Sequence, residues 1–316
     1  MGYLAIVDLG SNSTRFVIEK LQADGTFQEI ERIKRDTRLA EGMEQNGGRL
    51  TEVAMQRVFD AVAEFQAIVQ TYQDLEIIGI ATAAVREAKN QAQFVKRLQE
   101  NYQFEIRVLT GDQEAYYDYL GAMSALNHIN NAWLLDTGGA SIELVGIEDR
   151  MAVNFISLPF GAVNLAERFN LNGPESIDGV ALTEAEQYID QEYDVLPWLE
   201  CDQQPIILLG GANRTLARLD RMRQGYEDYG SFHGYQMAVD QVQTIFDDLR
   251  KMNHQERAAI LGAEANRADI IISGLLPLMQ LVEVTGTTKV IFSSSGVREG
   301  ILQEYRLEHD TIISNL

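Results

Sequence analysis

One turn is written twice in this chain. Asp8-Leu-Gly-Ser-Asn-Ser-Thr-Arg15 returns as Asp136-Thr-Gly-Gly-Ala-Ser-Ile-Glu143, so both copies fit Asp-x-Gly-x-x-Ser-x-(Arg or Glu). Each copy follows a short apolar run, Tyr3 to Val7 or Ala132 to Leu135, and precedes another, Phe16 to Ile18 or Leu144 to Ile147. That pattern predicts strand, tight turn, strand in both places. A glycine two residues after the aspartate permits positive φ and lets successive N–H groups converge on one phosphate oxygen. The serine hydroxyls add donors, and the aspartate is suited to hold a metal or a water. A single Asp-x-Gly between strands is as readily an ordinary hairpin turn. Two copies at about domain spacing argue for a shared purpose.

A length of 316 residues with 46% hydrophobic content predicts two domains. Thr51 to Gln70 carries Met55, Val58, Phe59, Val62, Phe65 and Val69 at helical spacing, with Thr51 as N-cap. The strand Glu76 to Ile80, a helix over Gln91 to Glu100, the strand Glu105 to Leu109 and a helix from about Asp112 to Leu126 follow. Beyond the second turn the pattern predicts a strand over Val153 to Leu158, a helix opening near Gly161 and a helix over Thr183 to Val195. Then come the strand Pro205 to Leu209, helices over Met237 to Lys251, Arg257 to Ala265 and Ala268 to Val284, and the strand Lys289 to Phe292. Alternating strands and helices mark an α/β protein. The junction is expected near residues 124 to 131, dividing 1–125 from 126–299, with the site in a cleft between the halves.

The net charge of −21 argues against nucleic-acid and anionic-membrane binding. It leaves room for a small polyanion, because distant surface charge is screened over about 8 Å while nearby arginines act at contact. Glu31-Arg-Ile-Lys-Arg-Asp-Thr-Arg38 is the basic cluster near the first turn. Its alternative is a solvated strand face. The single Cys201 forbids an internal disulfide, and no Cys/His spacing resembles a zinc site. The start shows neither a basic n-region nor a myristoylation pattern, and Ile270 to Val282 is too short to span a bilayer. A cytoplasmic protein is expected, with a homodimer as the default assembly.

Two further segments sit where strands end. Ala81-Thr-Ala-Ala-Val-Arg-Glu-Ala88 follows a strand, so helix-start N–H groups, Thr82 and Arg86 are placed to hold a phosphate. Gly111-Asp-Gln-Glu-Ala115 puts Glu114 in the first turn of a helix, where acidic residues are also common for dipole reasons.

Those segments, both turns, Ser157-Leu-Pro-Phe-Gly-Ala-Val163, Gly210-Gly-Ala-Asn-Arg214, Arg267-Ala-Asp-Ile270 and Gly296-Val-Arg-Glu-Gly300 stand in the order expected of one family. The chain resembles the exopolyphosphatase and guanosine pentaphosphate phosphatase family, a branch of the actin-like ATPase superfamily. The resemblance runs nearly end to end. It implies two RNase-H-like α/β domains flanking an interdomain cleft, with the last helix, 300–316, returning to the first domain. It implies a short form without the C-terminal helical histidine-aspartate domain of longer members. It also implies hydrolysis of a terminal phosphoanhydride with Mg²⁺ or Mn²⁺.

Carried over position by position, Glu114 matches the general base, Glu143 a second acid that orients water or metal, and Asp136 its partner. Asp136 and Glu143, with Asp8 as a further candidate, match the metal ligands. Gly10, Ser11, Asn12 and Ser13, and Gly138, Gly139, Ala140 and Ser141, match phosphate-cradling turns. Arg15, Arg86 and Arg267 match phosphate-holding positions, with Thr82 beside them.

The departures lie at Ala140 for a third glycine, Ile142 for threonine, Ala83 for serine and Gln113 for glutamate. Ile142 removes a hydroxyl available to phosphate or backbone, which points to a weakened enzyme. The substrate implied is inorganic polyphosphate, in short chains, or alternatively guanosine pentaphosphate. A kinase or ATPase of the same superfamily and a non-catalytic alarmone or polyphosphate sensor stay open beside it.

Overall fold

The first turn joins two strands that pair in register. In the computed structural model, which describes residues 2–22, 25–102 and 105–314, β1 (Tyr3–Leu9) runs antiparallel to β2 (Thr14–Leu21). β3 (Phe27–Arg35) continues the meander beside β2. β4 (Leu75–Ala81) and β5 (Ile106–Val108) extend the sheet in parallel from β1, giving the order β3-β2-β1-β4-β5. Leu4, Ala5, Ile6, Val7 and Leu9 of β1 are all buried, as a strand covered on both faces requires. The edge strand β3 is largely exposed and carries charge, which discourages pairing with another chain.

Helix α1 (Glu52–Val69) follows the predicted spacing. Thr51 accepts from the Ala54 N–H at 3.2 Å, and Met55, Val58, Phe59, Val62 and Phe65 are buried. Phe65 stacks on Phe16 of β2 with centroids 4.9 Å apart, and such a side chain contributes about 1.5–3 kcal/mol when buried. The short α2 (Ala83–Arg86) and α3 (Gln91–Tyr102) complete this side. The segment 31–38 is spent on surface ion pairs: Arg32 with Glu29, Lys34 with Asp36 at 2.8 Å, and Arg35 with Glu64.

After α4 (Gly111–Ala125), the second turn joins β6 (Ala132–Thr137) to β7 (Ile142–Glu148), which pairs with β8 (Met151–Leu158). β9 (Ile206–Gly210) runs parallel to β6. Beyond it the edge strand β10 (Gln236–Ala238) lies antiparallel to β11 (Lys289–Phe292), which is parallel to β9. Leaving β10 aside, β8-β7-β6-β9-β11 repeats the order of the first sheet. Both sheets therefore have the RNase-H-like arrangement, three antiparallel strands continued by two parallel ones.

Around the second sheet lie α5 (Ala162–Arg168), α6 (Gly179–Asp194), α7 (Gly211–Arg223), α8 (Val239–Lys251), α9 (His254–Leu261) and α10 (Ile271–Thr285). Among the described residues no single helix is long and apolar enough to cross a membrane. The apolar α10 is core, packed against α5, α6, α7 and α8. The buried Tyr193 donates to the Pro277 carbonyl at 3.0 Å, and burial pushes its phenol far above the ordinary range.

Several boundaries differ from the sequence expectation, among them β8, which opens at Met151, and α10, which opens at Ile271. α6 opens at Gly179 rather than Thr183, because Asp178 caps the Val180 N–H at 3.1 Å. α9 opens at His254, where Asn253 and Glu256 cap each other. Met237 belongs to a strand: it is buried while Gln236 and Ala238 are exposed, a period of two.

By internal contacts the chain divides into two compact units. One holds the residues up to Glu114 together with those from Ile301 on, and the other holds Ala115–Gly300. The boundaries fall inside α4 and inside α11 (Val297–Ser314). Residues 315 and 316 of the expected last helix lie outside the described ones. Within the first unit Tyr305 of α11 donates to Glu76 at 2.8 Å, and its phenol is pushed up to about 12, chiefly by desolvation and then by that carboxylate.

Candidate active site

The two turns are one structure built twice. In the first, the Gly10 N–H donates to the Ser13 carbonyl at 3.2 Å, and in the second Gly138 donates to Ser141 at 3.0 Å. The flanking pairs are equivalent, Asp8 opposite Arg15 and Asp136 opposite Glu143. Neither Gly10, Gly138 nor Gly139 has a positive φ, which corrects the conformational reason given for them. The reason is steric. A Cβ on Gly10 would lie 2.9 Å from the Ser13 carbonyl oxygen, and one on Gly138 3.0 Å from that of Ser141.

Each turn is braced through its carbonyls. Ser11 and Asn12 accept from the N–H groups of Ala40 and Arg38, both at 2.9 Å, and the Ser11 hydroxyl accepts from Ala84 at 3.2 Å. Gly138 and Gly139 accept from Ala162 at 2.9 Å and Val163 at 2.7 Å at the start of α5. Asn164 donates to the Ala140 carbonyl at 3.0 Å and accepts from Gly161 at 2.6 Å. Among the described residues, no hydrogen bond engages the N–H groups of Ser11, Asn12 and Ser13, nor those of Gly139, Ala140 and Ser141. Backbone N–H groups in folded proteins are rarely left without a partner, and consecutive ones are the means by which a turn takes an anion.

Within the first unit the remaining candidates gather beside the turn. Thr82 donates its N–H to the Leu9 carbonyl at 3.4 Å. Arg86 reaches Glu114 Oε2 at 2.8 Å and the Leu109 carbonyl at 3.2 Å. The Glu114 side chain is 10% exposed and that of Arg86 17%, so this pair is far from a surface ion pair. Thr110 and Gln113 cap each other, at 3.0 and 3.2 Å, and fix the first turn of α4 on which Glu114 stands. Arg15 lies 3.6 Å from Asp8.

In the second unit Glu143 is buried. Its Oε1 accepts from Ser141 and from Ser157, both at 2.8 Å. Asp136 faces Glu143 across β6 and β7, and a Cβ on Gly210 would lie 2.7 Å from its Oδ1. Gly210 has φ +93°, a conformation glycine alone takes easily. A Cβ on Gly211 would lie 2.5 Å from Cζ of Arg267, so the guanidinium rests on the start of α7. Glu264 holds that region, pairing with Arg218, accepting from Thr215 at 2.8 Å and approaching Arg267 at 4.0 Å.

Two carboxylates facing each other are hard oxygen donors of the kind Mg²⁺ takes from protein. Among the described residues no group of three or more His, Cys, Asp or Glu side chains gathers as a metal site. A magnesium site that draws on one or two carboxylates and on substrate phosphates does not need one.

The departures acquire physical meanings. Ile142 is fully buried in the core of the second unit with Leu144, Leu158 and Phe160, so its side chain fills a hydrophobic position. Ala140 has no positive φ. Gln113 makes the cap a glutamate there would also make. Ser157, Gly210, Gly211 and Glu264 escaped the list of candidates. The first three stand in quoted motifs at strand ends, which was the available signal, whereas Glu264 gave none.

Two sheets of one strand order, each with a glycine-serine turn on its central hairpin, define a two-unit α/β protein of the actin-like, RNase-H-like class. The chain belongs to the Ppx/GppA phosphatase family, whose family model matches residues 17–309. It is similar to a Haemophilus influenzae protein that bears an exopolyphosphatase name, with 23% identity over 318 residues, 99% of this chain and 94% of that protein. It is also similar to a guanosine-5′-triphosphate,3′-diphosphate pyrophosphatase of Vibrio cholerae, with 27% identity over 95% of this chain; the chain spans 58% of that protein's length. Among solved structures, the Aquifex aeolicus member of the family has 26% identity and a TM-score of 0.79, covering 98% of both chains. An exopolyphosphatase from Cytophaga hutchinsonii, at 21% identity and TM-score 0.85 over 96% of this chain and 97% of that one, shares the fold. Membership places the chain among phosphoanhydride hydrolases.

Proposed function

We propose that this chain is an exopolyphosphatase that releases orthophosphate from the end of short inorganic polyphosphate. The observation that carries the reading is the repeated turn, whose consecutive N–H groups are left for an anion while its carbonyls are spent on bracing. Charge developing on the phosphoryl oxygens calls for such donors and for arginines, here Arg15, Arg86 and Arg267. Glu114, buried and held by Arg86, is the base that positions and deprotonates the attacking water. Glu143, oriented by Ser141 and Ser157, and Asp136 would hold Mg²⁺, which supplies charge neutralisation when bound. Asp8 faces Arg15 and suits that role less.

Guanosine pentaphosphate is the second reading, favoured by the Vibrio cholerae relative. The relative with an exopolyphosphatase name is matched over 94% of its length, against 58% for the pyrophosphatase, and this supports polyphosphate as the first choice. We further propose a homodimer, which sedimentation of the purified chain tests, and a cytoplasmic location, which fractionation of the source cells tests. The decisive assay compares phosphate release from short polyphosphate, long polyphosphate, guanosine pentaphosphate and ATP, the last with and without sugar acceptors. Acceptor-dependent consumption of ATP would overturn the reading in favour of a kinase. Tight binding without turnover of any substrate would favour a sensor.

A further inference from the structure

A right-angled elbow carries Arg267. α9 runs on through a 3-10 segment, Gly262–Arg267, and the helical stretch His254–Arg267 meets α10 at 91°. A bend of that size strands the last carbonyls of the helix that ends there. Arg257 answers for them from inside the core. Its Nε donates to the Ala268 carbonyl at 2.9 Å, and its Nη1 donates at 3.1 Å to the carbonyl of Met252, the C-cap of α8. One guanidinium thus closes two helix C-termini, where a cation is favoured.

Arg257 is fully buried. Burial pulls its guanidinium below the ordinary arginine range against the opposing charge of Asp269, and among the described residues its Nη2 has no hydrogen-bond partner. A buried cation with an unbonded nitrogen is a poor way to stabilise a core. The geometry it fixes is another matter. Arg267 immediately precedes the carbonyl that Arg257 Nε holds, and its own carbonyl accepts from the Ile270 N–H at 2.9 Å. The Arg267 guanidinium rests on Gly211 at the start of α7. An arginine side chain carries about 2 kcal/mol of rotamer entropy, so where its head lies depends on how firmly its backbone is held. Resting on the phosphohydrolase reading above, in which Arg267 holds a substrate phosphate, we propose that Arg257 is a positioning residue: it pins the elbow and thereby sets where the Arg267 guanidinium meets that phosphate.

The test is a double-mutant cycle on Arg257→Met and Arg267→Met in the full chain, read by phosphate release from short polyphosphate. Arg257→Met keeps a long side chain in the core and removes both carbonyl contacts. Each single variant should raise KM about tenfold or more, as the loss of a charged contact does, with kcat little changed. Adding Arg257→Met to Arg267→Met should raise KM no further, because nothing is left to position. Arg257→Lys, which keeps the cation, should raise KM less and only while Arg267 is present; it carries the cycle should Arg257→Met fail to fold. A wild-type KM in the Arg257 variant that carries the cycle, or an equal rise with and without Arg267, overturns the proposal. A wild-type KM in Arg267→Met overturns it too, yet leaves the hydrolase reading standing as long as the wild-type chain releases phosphate. If the wild-type chain hydrolyses none of the substrates, that reading fails by itself. Calorimetric binding of tripolyphosphate then decides the cycle: a non-additive loss of affinity supports Arg257, and an additive loss or none refutes it.

Discussion

Gly161→Ala tests whether the second turn is held in place by α5. Gly161 has φ −157°, so an alanine has no backbone objection. The obstacle is space. Its Cβ would lie 2.7 Å from the Gly138 carbonyl oxygen, 2.8 Å from the Gly139 carbonyl carbon and 2.8 Å from the Ser141 carbonyl oxygen. All three are backbone, so no side chain can swing aside. Ordinary carbon-to-oxygen contact is about 3.3–3.6 Å, so α5 and the turn must part by about 0.6–0.9 Å. Overpacking of that kind costs about 1–3 kcal/mol. The bonds from Ala162 and Val163 to the turn, now 2.9 and 2.7 Å, lengthen toward the limit of a useful hydrogen bond and forfeit up to about 1 kcal/mol each. A total of about 1–5 kcal/mol corresponds to a fall in Tm of roughly 2–20 °C for a domain of this size.

Displacing a substrate-positioning turn by nearly 1 Å should lower kcat/KM by about a hundredfold. Thermal melting and steady-state phosphate release measure both effects. Gly179→Ala at the start of α6 is the control, since nothing lies within 4 Å of its Cβ, and it should change neither. Wild-type melting and turnover in Gly161→Ala would refute the bracing argument. Lost stability with full turnover would make the turn an ordinary hairpin, and the phosphate-cradle argument would fail.

Three other substitutions follow from the same geometry. Glu114→Gln should melt below the wild-type temperature, because Arg86 loses its largely buried carboxylate partner, and should still bind polyphosphate while kcat falls by about 10²–10⁴, the usual share of a general base; turnover at the wild-type rate would exclude that role. Ile142→Thr, which restores the common family residue, should cost about 1–3 kcal/mol by burying a hydroxyl in the core and bring no gain in kcat, as chemical denaturation and phosphate release will show. Asp190→Asn should stabilise the fold at pH 7. Desolvation and Asp194 raise the Asp190 carboxyl above its ordinary value, and desolvation, Glu283 and Asp190 do the same to Glu186. A carboxyl raised in the folded state costs stability as pH climbs through its folded pKa. The gain, about 0.2–0.5 kcal/mol for each relieved like-charge pair on a helix, should therefore vanish as pH falls below the ordinary carboxylate range. A gain that persists at low pH would point to another cause.

Much of the architecture was legible because the doubled turn fixes two hairpins and the apolar runs around it are unambiguous. α1 was equally plain, since its buried face recurs at helical spacing and Thr51 caps it. α7 was missed because Gly211-Ala-Asn-Arg-Thr opens it with a glycine and polar residues. Its start is dictated by what must approach it, namely the Arg267 guanidinium at Gly211. The three-residue β10 is specified by pairing with β11, a partner more than fifty residues away that local pattern cannot reveal. The burial of Ile142 is illegible in the sequence for a related reason. Both faces of β7 are buried, Ile142 and Leu144 in one apolar cluster and Val145 and Ile147 in another, so period two gives no sign of which face a residue serves.

The two copies also explain why their last residues differ. The pairing is the same in both hairpins, so the residue after Ser-x always faces the turn's own aspartate. In the first copy that residue is Arg15, 3.6 Å from Asp8, and the pair is internally neutralised. In the second it is Glu143, and two carboxylates face each other with Ser141 and Ser157 donating to one of them. Like charges so placed repel unless a cation or a proton joins them. One geometry thus carries two charge patterns, a cation beside the aspartate at the first turn and a second carboxylate beside it at the second, where the proposed Mg²⁺ would draw on both. On that argument, replacing Glu143 with glutamine should weaken the dependence of phosphate binding on added Mg²⁺, while replacing Arg15 should leave that dependence intact and weaken binding at every Mg²⁺ concentration. Titration of tripolyphosphate at fixed metal concentrations distinguishes the two, and equal Mg²⁺ dependence in both variants would show that the final residue does not set the role of its turn.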